Sequence, residues 1–296
     1  MRRCRKIVLG ILSGLVFIWS AIFFKSDHIS EKSKHRYKPP TILCWIMTSP
    51  ENLYKKAVHV KNTWARRCNK SIFFSSEKNE SFPVVSLNVA EGKEHLTGKT
   101  MQAFRYVFEN HLDEADWYLK ADDDTYVIFE NLQYFLSKHI ATYPIMFGHY
   151  FAFEKRKYFH GGSGYVISKE ALRIFGNFGD DPRLCKKDGP SEDIHFARCM
   201  KNLGVTFGNS SDERGRSRFH AFTPERHIAG QYPNNYYNLD ALGANHGIES
   251  ISDYPVSFHK VYPQQMYMLE FYAYHFQPYG LYNNGHDFTS DISKRV

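Results

Sequence analysis

The sequence predicts an α/β domain built on a doubly wound, mostly parallel sheet and carried behind an amino-terminal transmembrane helix. Three observations lead there. Apolar runs of strand length alternate with segments whose apolar residues recur at helical spacing, the pattern of strand–helix–strand units. One such run, Trp117-Tyr118-Leu119-Lys120-Ala121, ends in Asp122-Asp123-Asp124, and in such sheets ligands sit at the carboxyl ends of strands. Finally, residues 7–24 form an apolar run without a charged side chain.

At about 1.5 Å per residue that run spans roughly 27 Å as a helix, enough for one membrane crossing. Arg2, Arg3, Arg5 and Lys6 precede it, and Lys25, Lys32, Lys34, Arg36 and Lys38 follow. The leading cations favour a cytoplasmic amino terminus. Bulky Ile22-Phe23-Phe24 offers no small-residue cleavage site, so an uncleaved signal anchor is expected. This divides the chain into a cytoplasmic tail (1–6), a transmembrane anchor (7–24), a stem ending in Pro39-Pro40 (25–40), a lumenal domain (41–280) and a polar tail (281–296). The 296 residues leave ample length for a core. Much of the +7 formal charge flanks the apolar run, so it points to a membrane rather than to nucleic acid.

With Cys4 on the cytoplasmic side, Cys44, Cys68, Cys185 and Cys199 remain for an oxidising lumen. Four cysteines permit three connectivities. Cys44–Cys68 and Cys185–Cys199 are expected because each pair brackets a compact local unit, and no pair has zinc-ligand spacing. Asn69, Asn79 and Asn209 head glycosylation sequons.

Along the domain, 41–48 reads as a strand covered on both faces. Ser49-Pro50 breaks it and starts a helix over 52–66, followed by strands at 71–76 and 82–87. The polar run 91–99 reads as mobile, leading to a helix over 100–110. After the triple aspartate come a helix over 129–139, a strand over 144–148, Gly161-Gly162-Ser163-Gly164 before a strand to Ser168, and a helix over 169–175. Ser191 can cap a helix whose first turn carries Glu192 and Asp193. A strand over 254–259 ends in His259, and the apolar pattern over 263–275 reads as a core helix.

In an extended segment Asp122 and Asp124 share a face while Asp123 points away. Hard carboxylate oxygens so placed suit a divalent cation. An acidic turn is the plain alternative, just as helix capping alone accounts for Glu192 and Asp193. His259 becomes a ligand only if the fold brings it to the aspartates.

Several stretches together resemble the core 1 β1,3-galactosyltransferase family: Leu43-Cys-Trp-Ile-Met-Thr48, Lys61-Asn-Thr-Trp-Ala-Arg-Arg-Cys-Asn-Lys70, Asp116-Trp-Tyr-Leu-Lys-Ala-Asp-Asp-Asp-Thr-Tyr-Val127, Gly161-Gly-Ser-Gly-Tyr-Val-Ile-Ser-Lys-Glu-Ala171, Glu192-Asp193 with Arg198-Cys-Met200, and Val256-Ser-Phe-His259. The resemblance implies a type II Golgi enzyme of the GT-A fold. Such an enzyme moves galactose from UDP-galactose, with inversion, to the 3-hydroxyl of GalNAc on serine or threonine of glycoproteins. It implies Mn²⁺ held by Asp122, Asp124 and His259, a donor site of Met47, Glu91, Gly92, Lys93, Lys99 and Asp122, and Asp193 as catalytic base. Gly161, Gly162, Glu192 and Tyr237 would meet the acceptor, and a homodimer is implied by likeness. The chain departs from the family pattern where Ser250-Ile251 replace a tandem cysteine, Tyr236-Tyr237 stand without a nearby tryptophan, and Gly98 replaces an aromatic. A non-catalytic chaperone-like relative and a β1,3-glycosyltransferase with another acceptor are the competing readings.

Overall fold

The computed structural model describes residues 39–153 and 156–277. The segments expected at 1–6, 7–24 and 281–296, and nearly all of the stem, lie outside the described residues. Among the described residues no helix is long and apolar enough to cross a membrane.

In chain order the strands are β1 (Ile42–Met47), β2 (Lys70–Ser75), β3 (Val84–Ser86), β4 (Trp117–Asp122), β5 (Tyr126–Val127), β6 (Ile145–Gly148), β7 (Tyr150–Phe153), β8 (Arg156–Phe159), β9 (Tyr165–Ser168), β10 (Thr206–Phe207), β11 (Phe219–His220) and β12 (Ser257–Phe258). The α-helices are α1 (Val58–Asn62), α2 (Leu96–His111), α3 (Phe129–Leu136), α4 (Lys169–Phe178), α5 (Glu192–Asn202), α6 (Pro224–Ala229), α7 (Tyr236–Leu239) and α8 (Pro263–Tyr274).

The main sheet runs β10-β6-β9-β4-β1-β2-β3. Its neighbours are parallel except around β9, which is antiparallel to both β4 and β6. The mostly parallel α/β class therefore holds. β1 is wholly buried, and its alternation shows why: Ile42, Cys44 and Ile46 enter one apolar cluster, Leu43, Trp45 and Met47 another. Both sheet faces must then be covered. Leu53, Val60, Trp64 and α3 cover the first; α2, α4 and α5 cover the second through Phe104, Phe175 and Phe196.

A small second sheet positions the site. β12 pairs antiparallel with β5, Ser257 opposite Val127 and Phe258 opposite Tyr126, and parallel with β11. Because β5 begins just after the aspartates, the same register carries His259 back to them. The Cys44–Cys68 and Cys185–Cys199 disulfides are both formed. Of the sequon asparagines, Asn69 and Asn209 are exposed and Asn79 is half-buried.

Three expectations need correction. The segment 91–99 is not a loose loop throughout: α2 begins at Leu96, Thr97, Gly98 and Lys99 are buried, and Asp188 accepts from the Gly98 amide at 3.2 Å. Ser191 stands at the start of α5, yet its side chain makes no capping bond. The third concerns α8, which is not a core helix. Met266 and Glu270 turn inward, whereas Tyr267, Met268, Phe271 and Tyr272 are about half exposed, since a helix lying on the outside of a domain buries only one stripe.

Glu270 anchors that stripe. Its carboxylate accepts from Arg66 at 2.8 Å, from Arg67 at 2.6 and 2.9 Å, and from the Tyr126 hydroxyl at 3.0 Å. Glu270→Ala should lower the unfolding free energy of the full chain by about 3 kcal/mol, because it strands buried Tyr126 and Arg67. A urea midpoint that barely moves would show that α8 is held otherwise.

Candidate metal and active site

The aspartates leave β4 in a tight turn, in which the Thr125 amide donates to the Asp122 carbonyl at 3.1 Å. Asp123 turns inward to accept from the Thr48 hydroxyl at 2.8 Å and is buried. Burial pushes its carboxyl up to about 6 against the pull of Lys56 and Thr48. Asp122 and Asp124 face outward with His259, each offering one ligand atom, and these atoms lie within 4.8 Å of one another. His259 Nε2 is 3.2 Å from Asp124 Oδ1. Burial opposes the charge of Asp124, but His259 and then Lys56, whose Nζ is 3.0 Å away, hold the carboxyl well below its ordinary range.

Oxygen donors with one imidazole suit a hard or borderline divalent ion. A second observation fits that group: His259 Nδ1 is buried without a hydrogen-bond partner, which is costly for a polar atom. His160 packs edge-on to the His259 ring, with centroids 5.4 Å apart. Burial first, and then the neighbouring His259, hold His160 well below the usual histidine range, so it packs there as a neutral ring.

A buried lysine joins this corner to the start of α5. Lys120 Nζ lies 2.6 Å from Asp122 Oδ1, 3.2 Å from the Gly161 carbonyl and 3.7 Å from Glu192 Oε2. Burial disfavours its charge, yet Asp122 and Glu192 raise it above the ordinary lysine value. Glu192 is itself buried and accepts from the Tyr165 hydroxyl at 2.5 Å. Asp193 receives the Gly161 amide at 3.3 Å on Oδ2 and the Ile194 amide at 2.9 Å on Oδ1. The helix start is expected to favour the ionised carboxylate. Here burial outweighs it and raises Asp193 above the ordinary aspartate value, with those two amides opposing.

The glycine pair closes the arrangement. A Cβ on Gly161 would come within 2.5 Å of Glu192 Oε2, and one on Gly162 would collide with the His259 ring. Close backbone approach therefore requires glycine at both positions. The Gly162 carbonyl also accepts from Thr125 at 2.7 Å.

The expected donor residues are placed unevenly. Met47 is the register partner of Asp122. Lys99 is buried and paired with Glu91 at 2.6 Å, next to Gly92, whereas Lys93 is exposed. Tyr236 is buried in a third apolar cluster with Tyr232 and Phe222, while Tyr237 stays exposed. Lys56 and His160 escaped the sequence reading because nothing local marks them. Lys120 had a signal: it lies two residues before Asp122 and so shares its face of β4.

Gly162→Ala should displace the His259 ring and weaken divalent-ion binding by about 10–100-fold, read by calorimetric titration of the full chain with manganese. Unchanged affinity would remove His259 from the ligand set.

Comparison with known proteins shows the family. The profile of the Fringe-like family matches residues 40–222, a span that holds the aspartates, the glycine pair and α5 but stops short of His259. Glycoprotein-N-acetylgalactosamine 3-beta-galactosyltransferase 1 of Xenopus laevis is 41% identical over 253 residues, covering 84% of this chain and 70% of the relative. Human beta-1,3-glucosyltransferase is 26% identical over 205 residues, which are 68% of this chain and 36% of that protein. Among solved structures, galactosyltransferase LgtC in complex with donor and acceptor sugar analogues matches at a TM-score of 0.43 and 11% identity, over 80% of this chain and 98% of that one. With more than half of its length in the family match and 41% identity across most of it to a named galactosyltransferase, the chain is a glycosyltransferase that belongs to the Fringe-like proteins and, among them, to the core 1 β1,3-galactosyltransferase family.

Proposed function

We propose that this enzyme transfers galactose from UDP-galactose to the 3-hydroxyl of GalNAc α-linked to serine or threonine of glycoproteins, with inversion, forming the core 1 disaccharide on a GT-A type domain. The observation that carries the reading is the meeting of Asp122, Asp124 and His259 beside a half-buried Asp193, in a chain 41% identical to a galactosyltransferase with that named acceptor.

Inversion requires a single displacement, hence one base and no protein nucleophile. Asp193 takes the proton of the acceptor hydroxyl. Its two oxygens are each oriented by a backbone amide, and its raised pKa makes it a stronger base than an exposed aspartate. Asp122, Asp124 and His259 would hold Mn²⁺, which when bound neutralises the diphosphate and acts as a Lewis acid on the leaving UDP. Lys120 orients Asp122 and keeps the carboxylates on either side of the Gly161 backbone compatible with one another. Gly161, Gly162 and Glu192 form the wall between metal and base, and the exposed Tyr237 is the aromatic available to a sugar ring.

We place the enzyme in the Golgi membrane as a single-pass type II protein with its domain in the lumen. The uncharged run at 7–24, the two disulfides and the three sequons support that placement.

Full-length protein supplied with Mn²⁺, UDP-galactose and a GalNAc-threonine peptide should form product; turnover with UDP-glucose alone would reassign the donor. No turnover with either sugar beside an active partner enzyme would favour a chaperone-like role. Asp124→Ala should abolish metal-dependent UDP binding, and undiminished affinity would take it out of the site. Asp193→Asn should retain UDP binding but lose at least about 10³-fold in kcat, the order expected for a general base. In the wild type, kcat/KM should fall as pH drops through the raised value of Asp193, because its protonated form cannot accept the proton. An acid limb at or below the ordinary aspartate value would contradict this.

A further inference from the structure

α5 has a third side. Its first turn presents Glu192 and Asp193 to the reaction and its inner stripe packs into the core. Its outer side, with β8, encloses a cleft of about 390 Å³ lined by Lys157, Tyr158, Ile194, Ala197, Arg198 and Lys201, among others. Lys157, Arg198 and Lys201 are exposed, and no acidic side chain is among the lining residues. Among the described residues neither Arg198 nor Lys201 is held in an ion pair, and Lys157 only stands over the Tyr150 ring at 5.8 Å. Three cations gathered with no acid among the described lining residues repel one another, so a cleft of this kind is stabilised by an anion entering it.

The cleft adjoins the chemistry. Ile194, on its wall, follows the base directly in sequence. Tyr158, also on the wall, has its hydroxyl pushed up to about 12, by burial first and then by the nearby Asp193 carboxylate. From Asp193 to Lys201 the helix rises about 12 Å, the reach of three to four extended residues. A polypeptide whose sugar hydroxyl sits at Asp193 can thus lay neighbouring side chains in the cleft.

We propose that this cleft is a subsite for aspartate and glutamate side chains of the acceptor polypeptide, so that the enzyme favours glycopeptides with acids within about four residues of the sugar-bearing threonine. The inference rests on the acceptor reading above and names the substrate class that the same site selects.

The test uses full-length enzyme and three GalNAc-threonine peptides that differ only in carrying Glu, Gln or Lys at the flanking positions. The Glu peptide should show a kcat/KM roughly fivefold to tenfold above the Gln peptide, with the advantage shrinking at high salt. Arg198→Glu/Lys201→Glu, a change confined to exposed positions, should shift the preference to the Lys peptide. Equal kcat/KM for all three peptides in the wild type would overturn the subsite and leave the reaction standing. Fluorescence anisotropy with the unglycosylated Glu peptide separates the two ideas. If no peptide turns over but this one binds, and the double substitution weakens it at least fivefold, the cleft stands and the reaction falls. Binding indifferent to both substitutions overturns the cleft.

Discussion

Five carboxylates share one corner of the molecule, and their mutual repulsion is the constraint to which the rest of the site answers. Asp122, Asp123 and Asp124 leave one strand, and Glu192 and Asp193 open one helix. Each has its compensation. Lys120 stands between Asp122 and Glu192, Lys56 reaches Asp123 and Asp124, and His259 meets Asp124. Thr48 and Tyr165 donate to the two that are most buried, Asp123 and Glu192. Charges taken out of water are tolerated only when paired and hydrogen-bonded. The network therefore ties Asp122 to the start of α5, because Lys120 reaches Asp122, Glu192 and the carbonyl of Gly161, whose amide donates to Asp193.

That coupling depends on backbone proximity. The Gly161-Gly162 segment runs between Glu192 and the His259 ring, and a Cβ on either residue would push them apart. Two carbonyls of the same segment accept from Lys120 and Thr125, which ties the loop to the turn bearing the aspartates. Three segments distant in sequence are thereby held as one wall, with Asp122, Asp124 and His259 on one side and Asp193 on the other. The outer surface of α5 carries the cationic cleft on the far side of the same helix, so a partner held there would leave the carboxylate corner undisturbed.

Periodicity revealed some of this and could not reveal the rest. The buried alternation of β1 and the two disulfides follow from local pattern, whereas Asp122 and Asp124 come to one side through a turn rather than along an extended strand. The start of α2 is hidden because the polar residues at 97–99 look like a loop until the distant partner of the Gly98 amide, Asp188, is known. The aromatic pattern of α8 suggested core packing, but apolar spacing does not say how much of a helix its neighbours will cover.

The sequence by itself determined the two-sided strand, the acids at its carboxyl end and the glycines that precede β9, because each is written in residues a few positions apart. Tertiary structure alone decided that Lys56 answers Asp124, that burial overrides the helix dipole at Asp193, and that His259 arrives opposite the aspartate turn. Those outcomes are set by the pairing register of β5 with β12 and by the packing around α5. Such long-range choices depend on what surrounds a residue, and no spacing along the chain encodes that.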